Sequence, residues 1–130
     1  MNGQTFYCPP GGGVEFGERA AEAVRREMLE ELGADVADVA LLGVLENLFT
    51  YESTPGHEIV FVFVARLTDP ALEARDELDG IEGDMPYVAC WLPLDHFAPG
   101  GPPLYPDGLY ALLRDARAAR TRGTAAAPRR

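Results

Sequence analysis

Three glutamates, Glu27, Glu30 and Glu31, fall within five consecutive residues of a stretch rich in helix formers. On a helix each residue advances by about 100° around the axis, so Glu27 and Glu31 stand nearly above one another and Glu30 lies beside them. Like charges this close raise each other's pKa and strain the fold unless a cation neutralises them. An all-oxygen cluster suits Mg²⁺ or Mn²⁺ better than a softer metal. Arg26 adjoins Glu27, Glu18 stands at the amino end of the same stretch, and Gly11 to Gly13 precede it. A glycine-rich loop of this kind can bring backbone close to a ligand phosphate or to a metal. The alternative is an acidic amphipathic helix with Arg-Glu pairs on its wet face, which explains the charges but not the spacing of the loop.

These residues need elements to hold them. The spacing predicts a helix from about Glu18 to Leu32, with Ala21, Val24, Met28 and Leu32 as its apolar stripe and Gly33 as its stop. Thr5 to Cys8 reads as the end of a strand halted by Pro9 and Pro10. Val39 to Tyr51 and His57 to Leu67 read as an antiparallel pair, the second apolar nearly throughout and placed in a sheet interior covered on both faces. Thr68 to Asp84 is acidic and irregular and reads as a surface loop with one helical turn. Pro86 to Leu94 reads as a further strand, Pro99 to Pro103 as a turn, and Pro106 to Arg120 as a helix with Leu109, Leu112, Leu113 and Ala116 facing the core. Thr121 to Arg130 reads as a low-complexity tail, leaving residues 1–120 as a single domain.

At 130 residues with 47% apolar content, the chain has the makings of one globular domain. The longest apolar run, Ile59 to Ala65, is too short to span a bilayer, and the amino terminus lacks a signal-like pattern, so the expected location is the cytoplasm. Cys8 and Cys90 are the two cysteines and read as buried reduced thiols. Residues 1–113 carry five arginines against twenty acids, whereas residues 114–130 carry six arginines against one. A strongly negative body argues against nucleic-acid binding and suits a divalent-metal site. Every basic residue other than histidine is arginine, and Ala, Gly and Pro are abundant, a usage that looks like a GC-rich bacterial genome.

Gly12, five residues, Glu18, seven residues, Arg26, Glu27, Met28, Leu29, Glu30, Glu31, Leu32, Gly33 and Ala34 resemble the Nudix box, G-x5-E-x7-R-E-U-x-E-E-x-G-U, at all seven fixed positions. The resemblance continues through ENLFTY, GHEIVFVF, WLPLDHF and PLYPDGL, covering the chain to about Leu113. It implies an α/β/α sandwich with a central mixed sheet, here without the usual first strand because only eleven residues precede Gly12. It also implies a MutT-like, Mg²⁺- or Mn²⁺-dependent hydrolase that cleaves a diphosphate in a nucleoside diphosphate derivative. Carried over by position, Glu27, Glu30 and Glu31 are metal ligands, Arg26 orients Glu27, Glu18 supports the helix or holds a second metal, and Gly12 or Gly11 adds a backbone carbonyl. A general base comes from the box or from an acid outside it, the outside candidates being Glu77, Asp79, Glu82, Asp84, Glu46 and Glu58.

Tyr51, seventeen residues beyond Ala34, resembles the tyrosine placement of the diadenosine polyphosphate branch, and is alternatively a strand-end residue covering the core. Phe16 and Phe49 could stack on a base, and His57 and His96 could donate to phosphate; core, rim or surface roles are the alternatives. The short amino terminus leaves two further expectations: a homodimer that completes the sheet by strand addition, and, as the competing function, a catalytically impaired Nudix-like module that binds a nucleotide without turnover.

Overall fold

The structure is a computed structural model that describes residues 6–122. The chain divides into two compact units: one formed by Pro10–Leu41 and Phe63–Leu92, the other, in its described part, by residues 6–9, 42–62 and 93–122. Strands β1 (Val36–Tyr51) and β2 (Thr54–Leu67) pair as a two-stranded sheet whose ends belong to different units. The two residues between them, Glu52 and Ser53, both have positive φ (48° and 66°), the conformation of the tight turn that matches strand twist and usually recruits asparagine or glycine.

In the unit that carries the carboxylate cluster, α1 (Ala20–Leu32) starts two residues later than expected and ends as the sequence predicts. Gly33 adopts a left-handed conformation (φ 63°), its N–H donates to Leu29 O, and Ala34 N–H donates to Met28 O. These bonds satisfy carbonyls that the helix end would otherwise leave unpaired. At the other end Arg19 N donates to the Glu22 carboxylate at 2.7 Å. The last turn holds Glu30 and Glu31 and no basic residue.

Below α1 the core gathers Ala34, Val36, Leu67 and Leu78, with Met28, Leu32 and Trp91 packed against it. Val36, the first residue of β1, and Leu67, the last of β2, lie together at the open end of the hairpin, tied where Thr68 N donates to Asp35 O at 3.0 Å. A four-residue helix α2 (Pro70–Glu73) follows, capped by Asp69, whose side chain accepts from Ala71 N. Strands β3 (Glu77–Glu82) and β4 (Met85–Cys90) then form an antiparallel hairpin closed by Gly83 and Asp84.

Strand β3 overturns the reading of Thr68 to Asp84 as a surface loop. Acidic composition masked a two-residue alternation: Leu78 and Gly80 are buried while Glu77, Asp79 and Ile81 are exposed. Strand β4 stops at Cys90 rather than Leu94, and Leu94–Phe97 form a 3₁₀ turn. Pro93 lacks the N–H that a continuing ladder would need. Cys8 and Cys90 are exposed, not buried, because Cys90 lies on the outward face of β4 and Cys8 in an extended segment before the glycines.

In the second unit α3 (Leu109–Arg122) packs on the 3₁₀ turn Leu94–Phe97. Leu109 is buried as expected, and Gly43 lets the Leu112 side chain approach the strand so closely that a Cβ would lie 2.8 Å from Leu112 Cδ1. Helix α3 extends to Arg122, two residues into the expected tail; the rest of that tail, 123–130, lies outside the described residues. Tyr7 makes a parallel bridge to Leu104 and packs edge-on against His96 and Phe97. No other strand pairing precedes α1 among the described residues. Strand β2 is not an interior strand: its described partner is β1, and Ile59 and Phe61 are exposed although Val62 and Leu67 are buried. The architecture is mixed α/β, and the sheet consists of two two-stranded pieces among the described residues. No described helix is long and apolar enough to cross a membrane.

Two substitutions test these assignments. Leu78→Ala empties a buried position on β3 and is expected to lower stability by about 2–5 kcal/mol in urea unfolding. Ser53→Gly relieves a left-handed non-glycine residue and is expected to raise stability by up to about 1 kcal/mol, seen as a higher Tm.

Candidate active site

Between Gly11 and Glu18 the chain has no regular structure, and its shape is set by side chains reaching back from α1. Gly17 has φ 84°, and the turn it makes lets Glu18 N donate to Glu15 O at 3.0 Å while Glu15 N donates to Glu18 Oε1 at 3.1 Å. Arg26, two turns into the helix, grips this turn. Its Nε and Nη2 donate to the two Glu18 oxygens at 2.7 and 2.9 Å, and Nη2 also donates to Gly13 O at 3.0 Å. The remaining arm, Nη1, donates to Glu27 Oε1 at 2.7 Å and to Glu30 Oε1 at 3.2 Å. A planar fork of donors can serve both sides at once, which a lysine ammonium cannot.

The charges respond accordingly. The Arg26 fork, helped by the Glu15 N–H, holds the Glu18 carboxyl well below its usual range, at about 2. Glu18, then Glu27, bind the Arg26 proton still more firmly than usual.

Beside this network a cleft of about 420 Å³ is lined by Gly12 and Gly13 from the loop, Glu27, Glu30 and Glu31 from α1, and Ile81, Glu82 and Gly83 from the β3–β4 hairpin. The Glu27 carboxylate lies against the Cα of Gly12, in the space that a Cβ would occupy. A Cβ at this position would have to displace the far end of the Glu27 side chain. Glu31 is buried, at 8% exposure, and accepts a hydrogen bond from Tyr87 Oη at 2.8 Å. Burial pushes its carboxyl up, Tyr87 opposes this, and Glu27 and Glu82 push it up further.

The donors facing the cleft are hard oxygens of the sort a divalent cation selects. Among the described residues no three acidic, histidine or cysteine side chains converge closely enough to hold an ion as placed. Arg26 Nη1 draws Glu27 and Glu30 toward itself, at 2.7 and 3.2 Å.

The structure thus gathers Gly12, Glu27, Glu30, Glu31 and Glu82 around one cleft, with Arg26 and Glu18 behind the loop. Glu18 precedes the helix rather than starting it. Asp84 is exposed in the β3–β4 turn and does not line the cleft, while Glu77 and Asp79 are exposed along β3. Phe16 is fully exposed and covers no core. Glu46, Glu58 and Tyr51 belong to the turn end of the β1–β2 hairpin. There Glu46 lies 3.0 Å from His57 Nε2, Glu58 accepts from Asn47 Nδ2 at 3.0 Å, and Tyr51 is exposed. Tyr87 and Gly80 are the residues that sequence reasoning missed. The available signal was the alternation in ELDGIE, which makes Gly80 an inward strand position and not a loop glycine.

A family model described as the NUDIX domain matches residues 2–112, a span containing every residue of this cleft.

Because its folded pKa is depressed, Glu18 contributes stability that is fully present above the unfolded value of 4.5 and is lost as pH falls toward 2. Carboxyl-detected NMR titration is expected to show Glu18 titrating near the lower figure, and Arg26→Gln is expected to return it toward 4.5.

Proposed function

Since the chain belongs to the Nudix family, whose members hydrolyse pyrophosphate bonds, we propose that it is a Mg²⁺- or Mn²⁺-dependent hydrolase. Its substrate is a nucleoside diphosphate derivative, cleaved at the diphosphate. The observation that carries this reading is the meeting of Glu27, Glu30 and Glu31 with the glycine loop at one cleft, behind which Arg26 fixes both loop and helix. Residues 1–120 act in it as a single functional domain, in the cytoplasm of a bacterium.

Glu27, Glu30 and Glu31 supply the carboxylates that hold the cation, with the Gly12 carbonyl as a further donor. The chemistry such an ion supplies is neutralisation of phosphoryl charge and activation of a water at neutral pH. To present all three carboxylates, Glu27 and Glu30 turn partly away from the Arg26 Nη1 they share. Arg26 keeps Glu18 and Gly13 while they do so, since those bonds use its other donors. Glu18 therefore supports the loop through Arg26. Among the acids outside the box, Glu82 is the one that lines the cleft, and it is the candidate to take a proton from the attacking water. Pairing of a second copy along an outer strand edge of either two-stranded sheet belongs to the same proposal.

ADP-ribose, NADH, diadenosine polyphosphates and nucleoside triphosphates, each with Mg²⁺ or Mn²⁺, form the assay panel. For the substrate turned over, Glu27→Gln and Glu31→Gln are each expected to lower kcat/KM by about 10²–10³, the loss of a few kcal/mol of charge stabilisation. A folded protein that binds Mn²⁺ and a nucleotide but hydrolyses nothing in the panel would decide for the binding module instead.

A further inference from the structure

The second hairpin reaches the buried carboxylate of α1 through Tyr87. The hydroxyl of this residue, on β4, donates to Glu31 Oε1 at 2.8 Å, the ordinary length for such a bond. Directly opposite on β3 stands Gly80. A Cβ at Gly80 would fall 2.6 Å from Tyr87 Cζ and 2.8 Å from Leu32 Cδ2, so the tyrosine ring occupies a slot that exists because the facing residue has no side chain. One wall of that slot is Leu32, the neighbour of Glu31 in the helix. Glycine weakens a strand interior, and its presence in a six-residue strand marks a place where something must approach the backbone. Here the approaching group is an aromatic ring whose far end carries the donor.

We propose that Tyr87, seated by Gly80, is a positioning residue for Glu31. The inference rests on the metal-holding role given to Glu31 above. A glutamate side chain has three torsions to fix before it can act as a ligand, and ordering them at the moment of binding costs affinity. Tyr87 fixes them beforehand by holding one carboxylate oxygen, which leaves the other for the cleft. The bond also supplies the hydrogen-bond partner that a buried carboxylate requires. Gly80 acts only through the ring it admits.

Tyr87→Phe keeps the ring in its slot and removes the donor. Binding of Mn²⁺ alone, followed by the electron paramagnetic resonance of the free ion, is expected to weaken by about tenfold, the scale of an outer partner to a metal ligand. The Mn²⁺ concentration for half-maximal hydrolysis is expected to rise by a similar factor, with kcat at saturating metal within about twofold of wild type. Gly80→Ala retains the tyrosine hydroxyl but displaces the ring that carries it; it is expected to weaken Mn²⁺ binding in the wild-type background and to add little to Tyr87→Phe. Wild-type Mn²⁺ affinity in folded Tyr87→Phe, or additive losses from the two substitutions, would overturn the assignment. A wild-type protein that hydrolyses nothing while Tyr87→Phe still weakens Mn²⁺ binding would sink the hydrolase reading and leave the positioning role standing.

Discussion

The Arg26 guanidinium joins four groups that the chain separates by as many as seventeen positions, from the carbonyl of Gly13 to the carboxylate of Glu30. Without it the loop before α1 would have few bonds of its own, since Gly11 to Gly13 carry no side chains and Phe16 packs on nothing. With it, the loop is pinned by its carbonyl, the turn before the helix is pinned through Glu18, and two helix carboxylates are given a fixed counter-charge. The Glu27 carboxylate lies close against Gly12, and Arg26 bonds both that carboxylate and the carbonyl of the adjoining Gly13. A site that could have been a loose acidic patch becomes a shaped one, and the partial burial of the Arg26 and Glu18 side chains shields their bonds from water.

Much of this was legible in the sequence, because the constraints are local. Glu27, Glu30 and Glu31 share a face by helical periodicity alone, and Gly33 announces the end of the helix through the left-handed conformation that such an end favours. The approach of Gly12 to Glu27 is likewise local in sequence, since a loop that folds back on its own helix has a limited reach. The family resemblance drawn on these spacings agrees with the domain match over residues 2–112.

What escaped the sequence depends on long-range pairing. Glu31 and Tyr87 are fifty-six positions apart, and nothing near Tyr87 distinguishes it from an ordinary strand aromatic. The acids around Leu78 and Gly80 hid a strand because its solvent face and its core face contribute alternately, and charge catches the eye before alternation does. Strand β2 erred in the opposite direction. Its branched and aromatic residues suggested complete burial, whereas Ile59 and Phe61 face outward and the buried positions are Val62 and Leu67. Apolar content reports that a strand is stable as a strand; it does not report how many layers cover it.

The last turn of α1 ends in Glu30 and Glu31 with no basic residue among them. A helix carries partial negative charge at its carboxyl end, so these side chains stand where the helix itself repels them. One of them is buried as well, which compounds the penalty. Arg26 offsets this for Glu30 and the Tyr87 hydroxyl for Glu31, so both acids depend on partners from outside the last turn. Removing either partner would leave an acid at the helix end with nothing to oppose the repulsion of the helix itself.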